Sequence, residues 1–78
     1  SSWSKFLESL VKYTKKKDPK KSLKFLSRKL EIKNPSTLHS YLKGKRNPKS
    51  KTVSKIKEFF EFNERESEYF DYLLELGK

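Results

Sequence analysis

Residues 26–52 read LSRKLEIKNPSTLHSYLKGKRNPKSKT. The stretch holds the end of one short apolar pattern, the whole of a second, and a turn rich in cations. Leu23, Leu26 and Leu30 recur at i, i+3 and i+7, so they line one helical face, with Ser22 before them as N-cap. Asn34-Pro35 opens the next helix. Asn caps well, and Pro fits the first helical position because its missing N–H needs no partner there. Leu38, Tyr41 and Leu42 form the apolar stripe, and Gly44 is placed to stop the helix in the left-handed conformation. Leu30 closes one helix shortly before Asn34 caps the other. A connection that short forces a large crossing angle, which is the helix-turn-helix arrangement.

Working outward, three further helical patterns appear and no strand. Trp3, Phe6, Leu7, Leu10, Val11 and Thr14 follow the helical period, with Ser2 as N-cap, and the pattern stops at KKKDPKK because Pro19 cannot continue a helix. Val53, Ile56, Phe59 and Phe60 follow an N-cap at Ser50. Tyr69, Phe70, Leu73, Leu74 and Leu76 follow Asn63, whose partner three residues on, Glu66, completes a capping box. The predicted helices cover about 3–14, 23–30, 35–43, 51–60 and 64–76. They make an all-α, compact five-helix domain in a single unit of 78 residues. The predicted core is Leu7, Leu10, Leu26, Leu30, Ile32, Leu38, Leu42, Val53, Ile56, Phe60, Phe70 and Leu73. One internal echo stands out: Ser22-Leu23, Leu26, Leu30-Glu31-Ile32 matches Thr52-Val53, Ile56, Phe60-Glu61-Phe62. Its blandest explanation is that two short amphipathic helices look alike.

Charge is distributed unevenly. Through Lys57 there are 18 Lys and Arg against 3 Asp and Glu; from Glu58 onward there are 2 against 7. The net charge is +10. Such an excess points to polyanionic partners, nucleic acid or an anionic membrane surface, although a solvated lysine-rich surface reads the same way. Cysteine is absent, which excludes disulfides, thiolate zinc sites and a cysteine nucleophile. His39 is the single histidine, and the two glycines, Gly44 and Gly77, make no phosphate-cradling loop. The acids gather in the last helix as caps and surface charge. The chain reads as a non-enzyme with no cofactor and no metal. No apolar run reaches the roughly 20 residues of a membrane span, and a cytoplasmic protein is the simplest expectation.

The stretch from Leu26 to Phe62 resembles the helix-turn-helix core of phage-repressor (Cro-type) domains. Gly44-Lys45-Arg46-Asn47-Pro48, followed by Lys51-Thr52, is similar to their G-K-R-x-P loop after the third helix. Nearly the whole chain is also similar to the N-terminal part of an uncharacterised bacterial family of transcription regulators. That resemblance implies duplex DNA as partner, with the third helix in the major groove and a longer C-terminal region following. Two positions depart from the pattern. Glu31 and Glu61 stand where many such domains have Gly, so either the turns take another geometry or they accept strain on the order of 1 kcal/mol. The turn before Asn34 is also one residue longer than the common pattern.

Helical geometry sorts the third helix. Ser36, Ser40 and Lys43 fall opposite Leu38, with Thr37 and His39 on the flanks, and these five are the candidates for base edges. Lys45, Arg46, Lys49 and Lys51 surround the start of the fourth helix. Lys21 and Lys24 stand at the start of the second, where free N–H groups also attract phosphate. These six are candidate phosphate contacts, which position the protein and carry affinity but no sequence information. The last helix carries more apolar residues than one stripe needs. Tyr69, Tyr72 and Leu76 are therefore candidates for an interface, either in a homodimer, whose symmetry implies palindromic half-sites, or with a following C-terminal domain. A protein-interaction module is the competing function. Membrane-surface binding through the first helix and RNA binding rank lower, and the exposed aromatics on a sheet that serve single strands are missing.

Overall fold

The computed structural model describes residues 2–77. Five helices follow in order: α1 (Ser2–Lys17), α2 (Leu23–Lys29), α3 (Pro35–Leu42), α4 (Ser50–Phe59) and α5 (Glu64–Leu76). The fold is all-α, with overall dimensions of 31 × 25 × 19 Å. α1 packs against α3 and α5, and α2 packs against α3. α4 joins the core through Ile56, with Val53 and Phe59 packed against it.

Several helix ends differ from the sequence reading, all by one residue except the end of α1. α1 runs three residues past Thr14, through Lys15, Lys16 and Lys17. Lysine is a good helix former, and three ammonium groups in the last turn suit the negative end of the helix dipole. The chain turns at Asp18, which Pro19 excludes from helical geometry. Asp18 Oδ1 then accepts the Lys20 N–H at 3.1 Å. α4 starts one residue earlier than expected. Lys49, not Ser50, is its N-cap, because the Lys49 carbonyl accepts the first helical bond, from Val53 at 2.9 Å. Ser2 is likewise within α1 and not its cap. The other caps form as read: Ser22 accepts from Phe25, Asn34 from Thr37, and Asn63 exchanges bonds with Glu66 at 2.8 and 3.0 Å.

The core holds Trp3, Leu7, Val11, Leu26, Leu30, Ile32, Leu38, Tyr41, Ile56, Phe70 and Leu73. Leu10, Leu42, Val53 and Phe60, expected inside, are half-buried. Trp3, Val11 and Tyr41 take their place. α3 is rotated so that Tyr41, not Leu42, turns inward on the helix that both α1 and α2 contact. Trp3 is buried against the end of α5, where a β-carbon at Gly77 would lie 2.7 Å from the indole ring. A ring cluster then joins α1 to α5 and to the turn between α4 and α5. Phe6, Phe62 and Phe70 lie 5.7 to 5.9 Å apart, centroid to centroid.

The two glutamate turns settle into one geometry. Glu31 has φ 55° and Glu61 φ 52°, both left-handed. The Glu31 and Ile32 N–H groups donate to Arg28 and Ser27, and the Glu61 and Phe62 N–H groups donate to Glu58 and Lys57. This is the double-bonded Schellman cap, which satisfies the last helical carbonyls. The echo in the sequence is therefore structural at the helix ends. It fails at the helix starts, where Ser22 caps α2 but Thr52 lies inside α4.

Candidate nucleic-acid interface

α3 is fixed at both ends before any ligand is considered. Asn34 Oδ1 accepts the Thr37 N–H at 3.0 Å and the Thr37 hydroxyl at 3.3 Å. At the other end Gly44 adopts φ 73°, and Gly44 and Lys45 donate to Tyr41 and Ser40, each at 3.0 Å. A side chain at this left-handed position would be strained, so the glycine is needed here. The turn delivers the chain into Lys45, Arg46, Asn47 and Lys49, all exposed, and then into α4.

Burial of Leu38 and Tyr41 fixes which residues of α3 look outward. Ser36, His39 and Lys43 are exposed and share one face at i, i+3 and i+7. Ser40 and Thr37 are half-buried at the margins, and the Thr37 hydroxyl is occupied by the cap. Of the five base-edge candidates, three thus form a continuous outward stripe. His39, placed on the flank by the sequence reading, moves to its centre because the buried face is turned towards Tyr41.

The phosphate candidates divide. Lys45, Arg46, Lys49 and Lys51 cluster after α3 and along the first turn of α4, and all are exposed. Lys24 is exposed in the first turn of α2. Lys21 is set apart: it is half-buried, its ammonium 6.0 Å from the Phe59 ring centroid. It lines a cleft of about 280 Å³ with Leu10, Tyr13 and Phe59, formed where the ends of α1 and α4 meet the start of α5.

Glu31 places an acid in the turn leading to α3, beside this cationic cluster. Lys55 from α4 answers it at 2.6 Å. The hydrogen bond and the charge of Lys55, with help from the charge of Lys51, hold the Glu31 carboxyl below its ordinary value of 4.5. The same bond and charge raise Lys55 above 10.5. The pair ties the α2–α3 turn to α4. Sequence reasoning missed it, since nothing in the spacing brings residues 31 and 55 together. It also missed Lys33, which is exposed in the turn immediately before Asn34. The extra residue in that turn was its one visible signal.

The interface candidates on α5 differ among themselves. Tyr72 and Leu76 are 60% and 62% exposed. Tyr69 is 53% exposed, with its ring edge-on to Phe6 at 5.6 Å. Asp71 on the same helix holds Lys57 of α4 at 2.8 Å. No helix is long and apolar enough to cross a membrane among the described residues. No family model, curated protein or solved structure matches the chain.

Proposed function

We propose that this chain is the duplex-DNA-binding domain of a bacterial transcription regulator of the repressor helix-turn-helix type, acting in the cytoplasm. One observation carries the reading: the outward Ser36–His39–Lys43 face of α3 runs directly into four exposed cations, Lys45, Arg46, Lys49 and Lys51. α3 lies in the major groove, where its polar side chains meet base edges, and the flanking cations hold phosphates. Serine and histidine make single hydrogen bonds where Arg, Asn or Gln make bidentate ones, so sequence preference through α3 is modest. The Glu31–Lys55 pair keeps the acid of the turn neutralised next to the phosphate chain.

The variant that tests this is Arg46→Ala, which weakens binding to every duplex alike and lowers the salt dependence by about 0.9 in the log–log slope. His39→Ala and Ser40→Ala instead change the ranking of duplex sequences, with the larger change at His39. A ranking untouched by both variants refutes the placement of α3 in the groove. A second reading, a protein-contact role for α5, rests on the exposure of Tyr72 and Leu76.

A further inference from the structure

The chain carries its own standard for what the turn before α3 requires. The α4–α5 turn makes the same left-handed glutamate, the same pair of Schellman bonds and the same asparagine cap, with no residue between Phe62 and Asn63. The α2–α3 turn has Lys33 between Ile32 and Asn34. Neither the backbone nor the side chain of Lys33 makes a hydrogen bond or an ion pair among the described residues. Lys33 is exposed, and Glu31, the acid two residues before it, is held by Lys55 at 2.6 Å. Nor does Lys33 serve the helix that follows. It stands at the positive end of the α3 dipole, where a cation is unfavourable. α3 has no acid in its first turn to offset it, whereas α5 opens with Glu64 and Glu66. The local fold thus gives no reason for an ammonium group at this place.

We infer that Lys33 is a further DNA-contact residue, holding a phosphate at the opposite end of α3 from Lys45, Arg46, Lys49 and Lys51. The inference rests on the DNA reading and adds a contact to it. α3 has 8 residues; at roughly 1.5 Å per residue it is about 12 Å long, close to the width of the major groove. The four cations already assigned all follow the C-terminal end of α3. Alone they hold the helix from one strand. Lys33 supplies a hold at the N-terminal end, the end that a helix-turn-helix domain turns towards the bases. Ser36, exposed in the first turn of α3, is fixed by that contact more than by the distant basic loop. Lysine acts here as a point charge, so it adds affinity and no sequence preference. A placement that is unfavourable in the free protein becomes favourable beside a phosphate.

The test is a salt titration of labelled duplexes with wild type, Lys33→Gln, Lys33→Arg, Arg46→Ala and Arg65→Gln. Lys33→Gln should lower the log–log slope by about 0.9 and leave the ranking of duplex sequences unchanged. Lys33→Arg keeps the charge and should keep the wild-type slope. Arg65→Gln removes an equal charge from an exposed position of α5 and should leave the slope unchanged. Urea unfolding separates contact from support of the fold: the midpoint of Lys33→Gln should equal or exceed that of wild type, because a cation has left the positive end of α3. A wild-type slope in Lys33→Gln, beside the expected fall in Arg46→Ala, overturns the inference and spares the DNA reading. An equal fall in Arg65→Gln overturns it too, since net charge alone would then account for the loss. A lowered urea midpoint in Lys33→Gln would assign the lysine to the fold, and a changed ranking would make it a base contact; either overturns the phosphate assignment. A wild type that binds no duplex at any salt concentration overturns the DNA reading and this inference together.

Discussion

The α2–α3 and α4–α5 connections can be laid over one another residue by residue. Each helix ends on a C-cap (Leu30, Phe60) followed by a left-handed glutamate (Glu31, Glu61). An apolar residue (Ile32, Phe62) and an asparagine N-cap (Asn34, Asn63) complete both turns. The first turn has one residue more, Lys33. What the turns deliver is opposite. The first leads to a helix showing Ser36, His39 and Lys43 beside a basic loop; the second leads to a helix showing Tyr72, Leu76 and glutamates. One backbone device thus builds two surfaces, and their chemistry is set by residues that the cap does not constrain.

The glutamates also differ in what surrounds them. Glu31 is held by Lys55, whereas Glu61 has no ion-pair partner among the described residues. A left-handed position costs a non-glycine residue on the order of 1 kcal/mol or more. At Glu31 the side chain returns some of that by fixing α4 against the turn. At Glu61 the structure gives no such return.

The largest effects test whether both units rest on the same core. Leu26 and Ile56 occupy equivalent positions, and both are fully buried. Leu26→Ala and Ile56→Ala should each cost about 2–5 kcal/mol in urea unfolding, a large share of a small domain's stability. A variant that unfolds like the parent would break the equivalence. Next in size are the caps. Asn34→Ala and Asn63→Ala should each cost about 1 kcal/mol, the second more, because Glu66 returns a bond to the Asn63 N–H. Equal losses would mean that the reciprocal bond adds nothing.

Smaller effects separate the two glutamates. Glu61→Gly should stabilise the domain by up to about 1 kcal/mol, relief of backbone strain exceeding the entropy gained by the unfolded chain. Glu31→Gly should gain less, since it also removes the Lys55 pair. A larger gain at Glu31 would show the pair to be unimportant. The smallest signal is in pH. Glu31 is lowered in the folded state, so its contribution is present above 4.5 and is lost as pH falls through the depressed value. Lys55 is raised, so its contribution is present below 10.5 and is lost as pH rises through the raised value. The stability gap between wild type and Glu31→Gln should therefore be flat between those limits and close on either side.

Much of this was legible in the sequence because it depends on local rules. Asn34-Pro35, Gly44 and the Asn63–Glu66 pair mark helix ends through bonds between near neighbours. What escaped depends on distant contacts. The inward turn of Tyr41 over Leu42 follows from two helices packing on α3, and the burial of Trp3 from Gly77 at the far end of the chain. The three lysines ending α1 read as loop because their polarity hid their helix propensity. Of the site, the residue types and the basic loop were visible. The ranking of His39 above Ser40, the withdrawal of Lys21 into a cleft and the Glu31–Lys55 pair were not.

The most direct test of the DNA reading is fluorescence anisotropy of a labelled random-sequence duplex, titrated with the domain at several salt concentrations. Binding whose affinity falls with salt at a log–log slope of about −4 to −6 is the expected result. It corresponds to roughly five to seven neutralised phosphates, as many as the exposed cations around α3 can supply. Absence of binding at low salt would contradict the account, because these cations would then not be placed to follow a duplex.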